Sequence, residues 1–175
     1  LGRIYRARVY ELPQAGRTSR GKHAANVLEL QRENEKEGTQ DETIRTCLVI
    51  PRNFQDRSDL KHILMCTANG ICKKIDMLDP TRVRRTGIRG ISLDEGDSLI
   101  SAALTDGNRE LFFTSRNGMG LRVHESTIRS MGRDARGVIG MRLEPSDHVV
   151  SAFTHSGSGM MLTVAENGYG KQSEI

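Results

Sequence analysis

The sequence predicts an all-β, propeller-like fold in which repeats of about 50 residues each supply a four-stranded antiparallel blade. The first observation behind this prediction is an internal repeat, because residues 111–143 match residues 64–93 segment by segment. The second is an Asn-Gly pair between two short apolar runs, found at Asn69–Gly70, Asn117–Gly118 and Asn167–Gly168. The third is that these segments carry strand and turn signals without the apolar periodicity of an amphipathic helix.

The first residues of the chain match the second half of a repeat. Leu1–Leu12 alternates apolar and basic residues, which predicts a strand, and Gly21–Leu30 matches the closing strand of the later copies. Pro13–Lys22 between them is a basic loop, so that residues 1–30 form the back half of a repeat. Residues 31–42 are polar and mostly acidic, and we expect a solvated insertion there.

The later repeats follow in order. Residues 43–93 form one repeat, which opens with a predicted strand at Thr43–Ile50, and residues 98–143 form the next. Residues 149–175 are the front part of another, so the chain is predicted to be one domain, 1–175, holding part of a propeller. We expect type I′ turns at the Asn-Gly pairs, because both central residues of that turn need positive φ. The chain lacks an initiator Met and stops inside a repeat, so we expect it to be part of a longer protein.

Composition limits the classes of protein to which the chain can belong. Apolar residues make up 36% and no apolar run approaches the length of a membrane span, so we expect a soluble protein. The three cysteines, Cys47, Cys66 and Cys72, lie on strand-like segments and are expected to be reduced thiols. Trp is absent and aromatics are 4%, which argues against a WD-type propeller and against stacking of unpaired bases.

Positive charge recurs with the period of the repeat. Residues 1–22, 73–92 and 116–142 are strongly basic, whereas the segments after each of them are net acidic. If equivalent loops share one edge of the disc, their cations form a continuous stripe, which suits the phosphate backbone of DNA. No helix suited to the major groove is predicted, so contacts should not depend on base sequence. The predicted DNA-binding residues are Arg17, Arg20, Lys22, Lys73, Lys74, Arg82, Arg84, Arg85, Arg89, Arg122, Arg129, Arg133 and Arg136.

No pattern in the sequence indicates an active site. The acidic run Asp94–Asp97 lacks the glutamate of an EF-hand and is better explained as a turn between blades. Gly87-x-x-Gly90 is a weak phosphate-loop match without the following Lys and helix. The histidines have no nucleophile at readable spacing. We therefore predict no catalytic residue and no metal ligand in this chain.

The motifs together resemble a known family. The segments GRIYRARVYELPQAGRTSRGKHAANVLEL, TANGICKKI, TGIRGISL, SRNGMGLRV, MGRDARGVIGMRL and ENGYGK are similar to the C-terminal repeats of the bacterial DNA gyrase A protein. The resemblance implies a β-pinwheel, a propeller-like disc of normally six blades that exchange strands with their neighbours. It also implies that the basic perimeter of the disc binds and wraps duplex DNA, which supports ATP-dependent negative supercoiling.

The resemblance further implies what this chain lacks. The catalytic tyrosine, the metal-holding acidic residues and the ATP site of the resembled type II topoisomerase lie on other domains or on the gyrase B protein. This fragment is therefore expected to be non-enzymatic and to need no cofactor, whereas the holoenzyme uses ATP and Mg on other domains. The expected partners are duplex DNA, the remainder of gyrase A, and gyrase B, in the bacterial cytoplasm with the chromosome and without a membrane.

Two alternatives stay open at this point. The equivalent domain of the A-type protein of topoisomerase IV has similar but more degenerate repeats. A basic heptapeptide typical of the gyrase family is absent here, and it belongs to the first blade, before Leu1. The other alternative is a propeller scaffold for a protein partner, like RCC1-type repeats of similar length, which would not require arginine loops in register.

Overall fold

Strands and short 3-10 turns make up the regular structure of the described residues, which are 2–30, 42–77 and 82–175 of the computed structural model. The strands are β1 Arg3–Ile4, β2 His62–Thr67, β3 Ile71–Asp76, β4 Ile88–Arg89, β5 Leu99–Thr105, β6 Glu110–Ser115, β7 Gly120–His124, β8 Val138–Ile139, β9 Val149–His155, β10 Met160–Val164 and β11 Gly170–Glu174. The 3-10 turns include Val9–Glu11, Ala24–Asn26, Phe54–Asp56 and Glu125–Thr127. The all-β prediction is confirmed.

The acidic insertion predicted at residues 31–42 lies outside the described residues, apart from Glu42. No helix among the described residues has the length and apolar character needed to span a membrane.

The sheets mix strands from successive repeats. A four-stranded antiparallel sheet has the order β5-β2-β3-β8, in which the β2–β3 hairpin belongs to one repeat and β5 and β8 belong to the next. The three-stranded sheet β7-β6-β9 follows the same rule, because β9 belongs to the repeat after β6 and β7. β4 likewise pairs with β1 of the preceding repeat. The strand exchange that the resemblance implied is therefore confirmed.

The two edges of each sheet have different surroundings. β5 contacts β9, so the opening strands of successive repeats lie side by side. At the opposite edge of the four-stranded sheet, the short strand β8 pairs with Ile71 and Cys72 only, so the rest of β3 also lies at that edge. The corresponding edge of the three-stranded sheet is formed by β7. The connections that leave β3 and β7 therefore start at the edges away from the β5–β9 contact.

Two predicted strands are not formed. Neither Thr43–Ile50 nor Gly21–Leu30 pairs in a sheet, and in the latter a 3-10 turn covers Ala24–Asn26. The equivalent strands β5 and β8 each pair with a hairpin strand of the preceding repeat. The described residues hold no hairpin of a repeat before these two segments with which they could pair. Of the predicted strand at Leu1–Leu12, only Arg3–Ile4 is paired.

The four-stranded sheet is buried on both faces. Leu64 belongs to a core cluster with Phe113 of the three-stranded sheet, whereas its neighbour Ile63 packs on the other face with Ile91. Because successive residues of a strand point to opposite faces, nearly all of β2 is buried. In β6, by contrast, burial alternates from residue to residue. β3 is buried on both faces, as β2 is, so its two lysines, Lys73 and Lys74, lie in buried surroundings.

The Asn-Gly hairpins have three-residue loops that end in a left-handed glycine, and the type I′ prediction was wrong. In the first hairpin the Gly70 amide donates to the Thr67 carbonyl at 3.0 Å, and Gly70 has a φ of 77°. Gly118 in the second hairpin has a φ of 83°. Ser146 alone among the described non-glycine residues has a positive φ, so Asn69 does not adopt the conformation that type I′ requires.

A carboxylate from the next repeat holds each of the first two hairpin turns. Asp97 Oδ1 accepts a hydrogen bond from the Asn69 amide at 3.0 Å, and Asp147 Oδ1 accepts one from the Asn117 amide at 3.1 Å. The hydrogen bond with the Ser115 side chain, followed by those from backbone amides, lowers the pKa of Asp147 below its ordinary value. Asp97, at the end of the acidic run, thus connects one blade to the next through a hydrogen bond. This agrees with the interpretation of the run as a turn between blades.

Alanine at Gly70 should destabilise the protein more than alanine at Gly118. Both glycines adopt the left-handed conformation, which costs an L-residue roughly 1–2 kcal/mol. At Gly118 nothing lies within 4 Å of an added Cβ, whereas at Gly70 the Met141 carbonyl oxygen lies 2.4 Å away. Thermal unfolding of Gly70→Ala and Gly118→Ala measures the difference. Equal losses in the two variants would contradict the close approach of Met141.

Candidate nucleic-acid interface

The basic segments are the connections between blades. The loop 125–137 leaves β7 in the three-stranded sheet and enters β8 in the four-stranded sheet. The preceding basic loop, described from residue 82, leaves β3 and enters β4 beside β1. The basic segment that follows β1 occupies the same position in the first repeat. Each basic loop therefore begins at the same edge of its blade, after the equivalent strand β1, β3 or β7.

The predicted DNA-binding residues fall into an exposed group and a buried pair. The side chains of Lys73 and Lys74 are buried, with 0% and 6% of their surface exposed. The remaining predicted residues are exposed: Arg17, Arg20, Lys22, Arg82, Arg84, Arg85, Arg89, Arg122, Arg129, Arg133 and Arg136.

Burial removes Lys73 and Lys74 from the set of direct DNA contacts, which corrects that part of the prediction. Both lysines lie on β3, a strand covered on its two faces, so their ammonium groups bond to the protein. Lys73 Nζ donates to the Arg133 carbonyl, and Lys74 Nζ donates to the Glu125 carbonyl at 3.0 Å. Two adjacent lysines in a sequence are typical of an exposed basic surface. The sequence alone does not show that both faces of this strand are covered.

The exposed arginines differ in whether a carboxylate already pairs with them. Arg85 pairs with Glu29, Arg122 pairs with Glu110, and Arg136 pairs with Asp94. Within the described residues no ion pair involves Arg17, Arg20, Lys22, Arg84, Arg89, Arg129 or Arg133. This second group, which we call the unpaired cations, is available to phosphate without loss of an internal partner.

The third basic loop wraps around the outer edge of β3. The Met131 amide donates to the Lys74 carbonyl at 2.8 Å, and Ser130 forms an isolated parallel bridge with Lys74. Ser130 Oγ also donates to Asp76 Oδ1 at 2.6 Å. Beyond these contacts the loop returns to pair with β3 through β8. The loop carrying Arg129 and Arg133 is therefore shaped by the sheet of the preceding repeat.

A buried carboxylate fixes the start of this loop. Glu125 is fully buried, and its Oε2 accepts a hydrogen bond from Thr105 Oγ1 at 2.8 Å and lies 3.9 Å from Lys74 Nζ. Its Oε1 accepts a hydrogen bond from the Arg109 amide at 2.6 Å. Sequence reasoning missed Glu125, because the equivalent position of the preceding copy is Met77 and no periodic signal marks it.

Residues from two successive repeats act on the ammonium group of Lys73. Burial lowers the pKa of Lys73, the nearby Asp134 opposes this shift, and the positive charge of Arg89 adds to it. Arg89 belongs to β4 in one repeat, whereas the Arg133 carbonyl that Lys73 holds belongs to the loop of the next. Residues of adjacent repeats therefore meet at Lys73 on β3.

This arrangement is suited to holding a polyanion. Guanidinium groups bind phosphate through paired hydrogen bonds, and they keep their charge at any physiological pH. No element of the described residues has the shape of a recognition helix.

Comparisons with known proteins agree with this architecture. A family model described as the DNA gyrase C-terminal domain, beta-propeller, matches residues 1–30, 61–106 and 109–156. The DNA gyrase A protein of Haloquadratum walsbyi is 36% identical over 176 residues, covering 99% of this chain and 20% of the relative. The gyrase A protein of Escherichia coli K12 is 38% identical over 174 residues, covering 99% of this chain and 18% of the relative. The chain thus spans about a fifth of the length of these relatives.

Solved structures give the same result. The C-terminal domain of a DNA topoisomerase IV has a TM-score of 0.78 and 29% identity, covering 98% of this chain and 50% of that one. A DNA gyrase A C-terminal domain has a TM-score of 0.56 and 27% identity, covering 65% of this chain and 38% of that one. With the family model matching most of its length, the chain belongs to the DNA gyrase C-terminal domain family, a family of β-propellers.

Proposed function

We propose that this chain binds duplex DNA without sequence preference along the edge that carries the inter-blade loops, and that it bends the duplex there. The observation that carries the proposal is the recurrence of unpaired cations at the equivalent edge in three consecutive repeats. A solvated charged loop is common when it occurs once, but three in register form a surface whose spacing follows the blades. Such a surface matches a continuous phosphate backbone.

Bending follows from the shape of that surface. Blades arranged around an axis place successive loops on a curve, so a straight duplex cannot contact all of them. Smooth bending of a short site costs of order 1–6 kcal/mol, and additional phosphate contacts offset that cost. The deformation energy, and not base contacts, would then set any preference among sequences.

The role in the complete enzyme follows from the family. We infer that the chain acts as part of a DNA gyrase A protein, where wrapped DNA is presented to the cleavage core of a type II topoisomerase for negative supercoiling. In this proposal the remainder of gyrase A, together with gyrase B, supplies the catalytic residues and the sites for ATP and Mg. This chain supplies a binding surface and needs no cofactor for it.

Equilibrium binding to two unrelated duplexes of equal length tests the proposal. We expect dissociation constants that agree within about twofold, because phosphate contacts carry no base information. Closure of nicked circles in the presence of the protein then measures bending, with a change in linking number expected if the duplex is wrapped. Strong preference for one sequence, or no binding at low salt, would contradict the proposal and favour a protein-binding scaffold.

The second candidate is the equivalent domain of topoisomerase IV. It is favoured by the similarity to a topoisomerase IV C-terminal domain over nearly the whole chain. The two candidates share DNA binding and differ in what the complete enzyme does with it. Supercoiling by the enzyme that contains this chain distinguishes them, since relaxation without negative supercoiling would support the second.

A further inference from the structure

We propose that Lys73 and Lys74 form a clamp that positions the arginine loop 125–137 for DNA, an inference that rests on the proposed function. The two lysines do not themselves touch DNA, and they act through the loop of the following repeat.

The clamp arises from the alternation of side chains along a strand. Lys73 and Lys74 are adjacent on β3, so their side chains leave opposite faces of the sheet. Lys74 Nζ donates to the carbonyl of Glu125, where the loop begins, and Lys73 Nζ donates to the carbonyl of Arg133, further along the same loop. One dipeptide therefore holds two separated points of the loop from the two faces of its own sheet.

The loop is held at its middle as well. The Met131 amide donates to the Lys74 carbonyl, and Ser130 Oγ bonds to Asp76. These contacts lie at the outer edge of β3, between the two lysine contacts. The loop therefore has anchors on both sides of Arg129 and at the backbone of Arg133, and the side chains of both arginines stay exposed. Such preorganisation lowers the ordering cost that a flexible loop incurs on binding.

A direct structural role does not explain why the residue at position 73 is a lysine. Its side chain is fully buried, and burial lowers its pKa, which means that the site disfavours the charged form. The equivalent residue of the next copy, on β7, is Leu121, so an apolar side chain is compatible with this position of the strand. What the ammonium adds is a donor for the Arg133 carbonyl.

Lys73→Met tests the clamp. Methionine retains an unbranched side chain of similar length, and it removes the donor together with a charge that burial disfavours. Removal of that buried charge opposes the loss of the hydrogen bond to the Arg133 carbonyl. We expect an unchanged or raised melting temperature, faster amide exchange at Met131, and an affinity for duplex DNA lower by about five- to tenfold. The slope of affinity against salt should stay unchanged, because the same arginines contact phosphate once the loop is bound.

Two further variants complete the design. Arg133→Ala removes a direct contact, so it should lower both affinity and the salt slope, the latter by about 0.9. Ser130→Ala removes an exposed anchor without touching the core, and we expect affinity to fall by about two- to threefold with a normal salt slope.

These variants distinguish failure of the clamp from failure of DNA binding. If Lys73→Met and Ser130→Ala loosen the loop but bind DNA as tightly as the wild type, the clamp is overturned and the DNA-binding function stands. If Lys73→Met reduces the salt slope as Arg133→Ala does, Lys73 is a direct contact and the clamp is also overturned. If the wild-type chain does not bind duplex DNA, the proposed function fails, and the clamp fails with it.

Discussion

Glu125→Ala is expected to lower the free energy of unfolding by about 3–5 kcal/mol, the typical effect of removing one partner from a buried ion pair. The substitution leaves the Lys74 ammonium buried without its carboxylate and removes the acceptor for Thr105 Oγ1 and for the Arg109 amide. Because a domain of this size is stable by only about 5–15 kcal/mol, a large fraction of its stability depends on this one side chain. Denaturant unfolding monitored by circular dichroism measures the change.

Glu110→Ala is the matched control for this prediction. Glu110 also pairs with a cation, Arg122, but at the surface, where such pairs contribute at most about 1 kcal/mol. Glu125→Gln should fall between the two, since its carbonyl oxygen can still accept one hydrogen bond. Equal stability of Glu125→Ala and Glu110→Ala would show that the buried network does not hold the loop.

The triple variant Arg84→Ala, Arg129→Ala, Arg133→Ala is expected to weaken duplex binding about 100-fold near physiological salt. Each lost phosphate contact removes roughly 0.9 from the slope of log affinity against log salt, so the slope should fall by about 3. Since the three side chains are exposed, the melting temperature should not change. Fluorescence anisotropy with two unrelated duplexes across a salt series measures affinity and slope together.

The control is a triple variant of exposed arginines that already have internal partners. Arg85, Arg122 and Arg136 pair with Glu29, Glu110 and Asp94, so their removal should weaken binding less than about tenfold. Equal losses from the two triples would show that ion pairing inside the protein does not select the DNA contacts. A loss confined to one of the two duplexes would contradict backbone binding.

Much of the fold could be predicted because the same pattern of strand, turn and charge recurs in each copy of the repeat. The Asn-Gly turns, the closing segments of the repeats and the period of basic charge all recur, and the exchange of strands between neighbouring blades followed from the family that they resemble. The prediction was wrong at Thr43–Ile50, which forms no strand, because a strand needs a partner and the described residues hold no hairpin of a repeat before this segment. It was also wrong at the turns, because a single left-handed glycine such as Gly70 suffices when the loop has three residues.

The interface was predictable only in part, for a physical reason. Exposed arginines in loops follow from the charge pattern, but the environment of Lys73 and Lys74 depends on what covers the two faces of β3. That covering comes from residues of other repeats, which no local pattern reveals. Glu125 shows the same limit, because its partners Thr105, Lys74 and Arg109 converge from different segments of the chain.

The salt dependence of duplex binding by the wild-type chain tests the central claim most directly. If unpaired cations on three consecutive loops contact one phosphate backbone, log affinity should fall linearly with log salt, with a slope of about −4 or steeper. Affinity should also rise with duplex length until all three loops are occupied. A slope near zero, or an affinity independent of length, would contradict a DNA-binding edge built from successive blades.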